Sequence, residues 1–221
     1  MSFKITMSNS KTGISIFDGP VGRSGTCIKS CKYCYCLKLL KLYPALKGKL
    51  ARNLRLSHSN LSQYCKDLVS DIAKSHMDNI RVFSFGDYQA HYKDTMLMIF
   101  RLFPTKTFYI ISKKLTLAKY RKDLKDILAH HNVVFNASFD HENRLDKNLK
   151  RLKTIYKNLR LVYTLEKQET LPRFKFDTIY NVDKTRNAIN LYKESGLSFC
   201  KCDVKLAKHC GDCKRCFGKG G

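Results

Sequence analysis

At 221 residues, with 43% hydrophobic and 27% charged side chains, the chain is long enough to bury a core and forms one domain with at most a small appendage. No apolar run approaches the ~18 residues that span a bilayer, and the start MSFKITMSNSK carries no apolar stretch of the signal-peptide kind. Membrane and secreted readings are therefore excluded. Lys plus Arg is 42 against 18 Asp plus Glu, a formal net charge of +24, and the expectation is a soluble, strongly basic, cytoplasmic protein with ten cysteines.

Residues 14–17 (ISIF) read as a first strand, stopped by Gly19 and Pro20. The glycine-bearing loop 21–26 leads from it into the first cysteines. After Cys36 the run LKLLKLYPALKGKLARNLRL has helical periodicity, interrupted near Pro44. Residues 60–75 predict the next helix, with Ser59 or Asn60 as its N-cap. A strand over 80–85 (IRVFSF) is followed by Gly86 and Asp87 and then a helix over 92–103. The alternation continues with strands over 107–112 (TFYIIS), 133–139 (VVFNASF), 160–165 (RLVYTL) and 178–182 (TIYNV), and helices over 116–130, 145–158 and 185–193. This order predicts βαβ units on a parallel sheet. Six strands are too few for the eight-fold barrel of ~250 residues. The expected α/β fold is thus a partial (β/α)6 barrel of parallel strands over residues 1–195, carrying a cysteine-rich tail over 196–221.

Nine of the ten cysteines fall in two clusters. Cys27, Cys31, Cys34 and Cys36 crowd the loop after the first strand, and Cys200, Cys202, Cys210, Cys213 and Cys216 crowd the tail. Cytoplasmic thiols stay reduced, so the clustering favours two metal sites over disulfides. Cys65 stands alone in a helical pattern and reads as a small core residue. Cys27, Cys31 and Cys34 have the spacing C-x3-C-x2-C with Tyr33 before the third cysteine. They sit where a parallel sheet places its chemistry, beyond the carboxyl end of a strand. Three thiolates can hold three irons of a cubane, leaving the fourth open for reaction.

That motif resembles the signature of the radical S-adenosylmethionine enzymes. The resemblance implies that Cys27, Cys31 and Cys34 bind a [4Fe-4S] cluster and that Tyr33 flanks the adenine side. The open iron takes the amino and carboxylate groups of S-adenosylmethionine, which a reductant such as a flavodoxin or ferredoxin lets the cluster cleave to a 5′-deoxyadenosyl radical. Cys36 has no place in the pattern. The family's Gly-Gly-Glu-like turn, which holds the cofactor's amino group, corresponds here to Ser84-Phe85-Gly86-Asp87, with one glycine lost and Asp in place of Glu. Ser112, Asn136 and Ser138, at later strands, fall where the family contacts ribose and carboxylate; each residue type also serves as an ordinary cap or turn. Most of the chain looks like the phage and plasmid gene product eighty-eight family, which implies a host-cytoplasm setting. The resemblance is carried by the loop ending in Cys34-Tyr35, by Arg52-Asn53-Leu54-Arg55-Leu56, by Phe108-Tyr109-Ile110-Ile111-Ser112-Lys113 and by Cys210-Gly211-Asp212-Cys213-Lys214-Arg215-Cys216-Phe217.

In the tail, Cys210, Cys213 and Cys216, with Cys200 or Cys202 as a fourth ligand, match ferredoxin-type spacing and suggest a second [4Fe-4S] cluster; zinc takes the same four thiolates. The basic charge has two readings. One is attraction to nucleic acid or a nucleotide. The other is coding bias, because lysine supplies 30 of the 42 cations and is spread along the chain. Basic groups recur at Lys47, Lys49, Arg52 and Arg55, at Lys113, Lys114, Lys119, Arg121 and Lys122, and at Lys147, Lys150, Arg151 and Lys153. The expected function is a radical S-adenosylmethionine enzyme acting on a nucleic acid, nucleotide or other substrate. The alternatives are a non-catalytic, zinc-dependent nucleic-acid-binding protein and an iron–sulfur electron carrier.

Overall fold

Short runs of β-branched and aromatic residues build one sheet whose inner strands all run the same way. The computed structural model describes residues 5–9, 13–22, 25–28, 34–140, 147–165 and 176–181. Its strands β1 (Met7–Asn9), β2 (Gly13–Ile16), β3 (Asn79–Val82), β4 (Thr107–Ser112), β5 (Val133–Phe139), β6 (Leu159–Leu165) and β7 (Thr178–Asn181) lie side by side in sequence order. β1 pairs antiparallel with β2, and β2 to β7 pair parallel throughout. The result is an open α/β sheet with six parallel strands. The helices are α1 (Tyr35–Leu42), α2 (Pro44–Ser59), α3 (Leu61–Ala73), α4 (Lys93–Leu102), α5 (Arg121–Leu128) and α6 (Lys147–Ile155).

Parallel register puts paired residues on the same face. Ile16, Val82, Ile110, Phe135 and Leu159 form one such row, and with their neighbours two residues away they make an apolar face. That face joins Tyr64, Leu68 and Ile72 of α3 and Leu124, Ile127 and Leu128 of α5 in the main core. The opposite face is mostly polar. It carries Ser15, Arg81, Tyr109, Asn136, Ser138, Arg160 and Tyr180, and the Tyr109 and Tyr180 hydroxyls meet at 3.1 Å although three strand spacings separate β4 from β7.

Local chemistry accounts for the departures from the sequence reading. Nothing in the sequence pattern points to β1, since Met-Ser-Asn has no strand signature. It follows residues anchored by Asp71, whose carboxylate accepts from the Ile5 and Thr6 N–H groups and the Thr6 hydroxyl, and by Asn53, which donates to the Ile5 carbonyl. The break near Pro44 is real: Pro44 opens α2 at a position where its missing N–H costs nothing. Asn60 caps α3 by accepting from the Gln63 N–H at 2.9 Å. The helix expected over 116–130 is instead two 3-10 turns, Lys114–Thr116 and Ala118–Tyr120, followed by α5. Leu117 between the turns is extended, which ends the first one. The helix expected over 185–193 and the tail over 196–221 lie outside the described residues.

Candidate functional site

The site begins with two strained residues. β2 and β3 end in register at Ile16 and Val82, and the next residues, Phe17 and Phe83, have φ of 57° and 61°. A left-handed conformation costs a side-chain-bearing residue on the order of 1–2 kcal/mol. Both rings stay buried in the core, 6.3 Å apart, so packing holds the conformation. Both chains therefore leave the sheet abruptly, and the loops that follow are stitched together. The Phe85 N–H donates to Asp18 Oδ1 at 2.9 Å, and the Gly19 N–H to the Phe85 carbonyl at 3.1 Å. Burial pushes the Asp18 carboxyl up to about 6; hydrogen bonds from Phe85 and Ser84 and the charge of Arg81 pull the other way.

Thr26, the residue before the first cysteine, joins the cysteine loop to the Gly86–Asp87 turn. Its hydroxyl donates to the Pro20 carbonyl at 3.0 Å and accepts from the Asp87 N–H at 2.8 Å. Gly86, at φ +77°, is required here. A Cβ would stand 2.1 Å from Thr26 Oγ1 and 2.9 Å from the Gly19 carbonyl oxygen. Asp87 is buried and fully engaged. Its Oδ1 accepts from the Tyr88 N–H and the Ser112 hydroxyl, and its Oδ2 from the N–H groups of Lys113 and Lys114. A carboxylate offers about four lone-pair positions, and these donors fill them. Burial nevertheless raises the Asp87 pKa, with the Ser112 bond and the three backbone bonds opposing it.

Cys34 is the N-cap of α1. A hydrogen bond with the Cys36 thiol, and then the N–H groups of Leu37 and Cys36, draw its thiol down to about 6 against the effect of burial, with Lys113 adding a positive charge. Such a thiol is largely thiolate at neutral pH, the form that attacks electrophiles and binds metals. Cys36 packs with Leu50 and Phe85 in a small second core, its sulfur 3.3 Å from the Ser84 carbonyl, so its single hydrogen is shared between that carbonyl and Cys34. Lys113 forms an ion pair with Asp140 across the ends of β4 and β5.

Cys34, Cys36, Gly86, Asp87, Ser112 and Lys113 line one cleft at the carboxyl ends of β2 to β5, holding about 690 Å³ of atom-free space with its mouth included. The cleft brings together Cys27, Cys34, Gly86, Asp87, Ser112 and Ser138 of the residues expected from sequence. Cys27 and Cys34 are half-buried there. Asn136 is fully buried two residues deeper on β5, with its amide 3.4 Å from the Ile110 carbonyl, and is not part of the cleft wall. Cys31, Tyr33, Cys200, Cys202, Cys210, Cys213 and Cys216 lie outside the described residues. The sequence reading did not single out Asp18, Thr26 or Asp140, and set Cys36 aside as a bystander. Only Thr26 had a visible signal, as a small polar residue abutting the motif.

A parallel α/β sheet with a cysteine-bearing cleft at its carboxyl end is the class that fold and site define. Residues 8–219 match the family described as Gene product 88, and the chain belongs to that family. No curated protein and no solved structure matches it. Among the described residues no helix is long and apolar enough to cross a membrane.

Proposed function

We propose that the chain is a radical S-adenosylmethionine enzyme in which Cys27, Cys31 and Cys34 hold a [4Fe-4S] cluster with one iron left open. The observation that carries this reading is the shared cleft: two of the three motif thiols face Gly86, Asp87, Ser112 and Ser138 beyond the ends of adjacent parallel strands. The donor set fits the group, since soft thiolates are the ligands that iron–sulfur clusters take. When bound, the cluster and S-adenosylmethionine supply one-electron cleavage of the sulfonium to methionine and a 5′-deoxyadenosyl radical, which takes a hydrogen atom from the substrate. The electron comes from a reductant of the flavodoxin or ferredoxin class.

The chain's own residues position and shield this chemistry. The Cys36 thiol, and after it the N–H groups of Leu37 and Cys36, draw Cys34 toward the thiolate at the start of α1. Thr26 and Gly86 fix the cysteine loop against the turn after β3. With its lone pairs committed, Asp87 braces the β3 and β4 loops rather than pairing with an ammonium. The partial (β/α)6 barrel belongs to the same proposal. A polar sheet face on which Tyr109 and Tyr180 meet across three strand spacings suits the concave wall of such a barrel. The tail cysteines Cys200, Cys202, Cys210, Cys213 and Cys216 then hold an auxiliary [4Fe-4S] cluster or zinc.

Purification without oxygen tests the reading. A brown protein with about four irons, or about eight with the tail filled, should release 5′-deoxyadenosine when given S-adenosylmethionine and dithionite, and Cys31→Ala should lose that release. A colourless protein holding only zinc, or a cluster whose spectrum is unmoved by S-adenosylmethionine, refutes it.

A further inference from the structure

The fold brings two of the basic groups together away from the cleft. Arg121 and Lys125 on α5 and Arg151 on α6 line a single groove between those helices, with Asn148 and Tyr156 adding polar groups and Leu152 part of its floor. The cations come from segments some 30 residues apart in sequence. No carboxylate among the described residues lines the groove. That segregation is built into α5. Arg121 and Lys125, four residues apart, face α6, whereas Asp123 and Asp126 turn toward α4, where Lys93 Nζ sits 3.3 Å and 2.6 Å from their carboxylates. α6 itself has four cations, Lys147, Lys150, Arg151 and Lys153, and no acidic residue. Lys153 is turned to Asp177 just before β7, and Lys147, Lys150 and Arg151 are exposed.

From this arrangement we infer that the α5–α6 groove binds the phosphodiester backbone of a nucleic acid. Guanidinium groups suit phosphate because their paired donors match its oxygens. Asn148 and Tyr156 add hydrogen-bonding groups, and a tyrosine ring offers a base a stacking surface. Helices in βα units run opposite to their strands, so the first turns of α5 and α6 lie at the carboxyl end of the sheet. Arg121 opens α5 and Asn148 is the second residue of α6, so the groove starts at the end of the molecule that carries the cleft. The inference adds a substrate class to the proposed enzyme, yet the binding itself requires neither cluster nor S-adenosylmethionine.

The test is fluorescence anisotropy of the full chain with a labelled 20-nucleotide single strand, as DNA and as RNA, from 50 to 200 mM salt. Arg121→Ala/Lys125→Ala/Arg151→Ala should weaken binding at least tenfold. It should also flatten the plot of log K against log salt by about 2, at ~0.7 per phosphate contact. Arg55→Ala/Lys66→Ala/Lys74→Ala removes the same charge from exposed positions on α2 and α3 and should change affinity less than threefold. Equal losses in the two triple variants, an unchanged salt slope in the first, or displacement of the strand by polyglutamate as readily as by unlabelled oligonucleotide overturns the proposal. Should the triple variant fail to match the circular dichroism of the parent, Arg151→Gln alone carries the test, with a slope change of about 0.7 expected. Because the assay runs on metal-free protein, failure here leaves release of 5′-deoxyadenosine as a separate question.

Discussion

Replacing Gly86 by Ala should cost on the order of 3–7 kcal/mol, a large share of the 5–15 kcal/mol typical of a domain. Two contributions add. A side chain at φ +77° costs about 1 kcal/mol. The new methyl would also stand 2.1 Å from Thr26 Oγ1, so the hydroxyl must move. That hydroxyl both donates to the Pro20 carbonyl and accepts from the Asp87 N–H, and stranding buried partners costs roughly 1–3 kcal/mol each. Gly48 is the internal control. It lies exposed in α2, where a methyl group added at its Cα would meet nothing within 4 Å, so Gly48→Ala should stabilise by roughly 0.5–1 kcal/mol through helix propensity alone. Urea unfolding of the two variants measures both. Thr26→Ala adds a further check: in its background Gly86→Ala should cost about 2 kcal/mol less than in the parent, because the obstructing hydroxyl is gone. A Gly86→Ala variant within 1 kcal/mol of the parent, or strict additivity with Thr26→Ala, would refute the claim that this turn is locked to the cysteine loop.

Asp18→Asn should remove a pH dependence. Burial holds the folded pKa near 6, above the ordinary carboxylate value, so the native state binds the extra proton and stability falls as pH rises from about 4 to 6; at roughly 1.4 kcal/mol per unit the variant should gain up to ~3 kcal/mol on the parent by pH 7.5, read by urea titration at pH 4 and 7.5, and an equal difference at both pH values would contradict it. In metal-free protein Cys34 should alkylate with half-maximal rate near pH 6, whereas Cys65, whose pKa burial raises, should react slowly at pH 7; peptide mapping after iodoacetamide treatment decides, and a Cys34 midpoint above pH 8 would count against the helix-cap geometry. Asp87→Asn should destabilise by about 3 kcal/mol, since an amide NH2 would be turned on one or more of the N–H groups that the carboxylate now accepts; thermal unfolding unchanged from the parent would remove Asp87 as a brace.

The sheet was legible because its information is local. Period and composition place β4 at 107–112 and β5 at 133–139, as observed. What the sequence hid is what tertiary packing decides. β3 was expected to reach residue 85 but stops at Val82, because the core claims the Phe83 ring and holds its backbone left-handed, which no propensity favours. β1 is too short for any pattern and exists through Asp71 and Asn53, far along the chain. Cys27 and Cys34, expected from motif spacing, and Gly86 and Asp87, expected from the resemblance and their position after a strand, all line the cleft. The pairing of Lys113 with Asp140 and the grouping of Arg121 with Arg151 needed the fold, since residue spacing alone does not bring neighbouring crossovers together.

The bonds around Asp87 give a physical account of why an aspartate stands at this turn. Aspartate is one methylene shorter than glutamate, and here its carboxylate sits back on the N–H groups of Lys113 and Lys114 and the hydroxyl of Ser112, all at the end of β4. The ring of Phe85, just before Gly86, belongs to the small core with Cys36 and Leu50 rather than to the open cleft. Both side chains therefore add rigidity around the cleft. Cys36 adds to it, tying α1 to the Ser84 carbonyl from a position outside the three-cysteine spacing. Strain at Phe17 and Phe83 supplies the sharp exits from the sheet, and Thr26, Asp87 and Cys36 hold the resulting loops in place. Side chains thus fix the loops, and the two described motif thiols share the cleft with Arg81, Lys113 and Ser138.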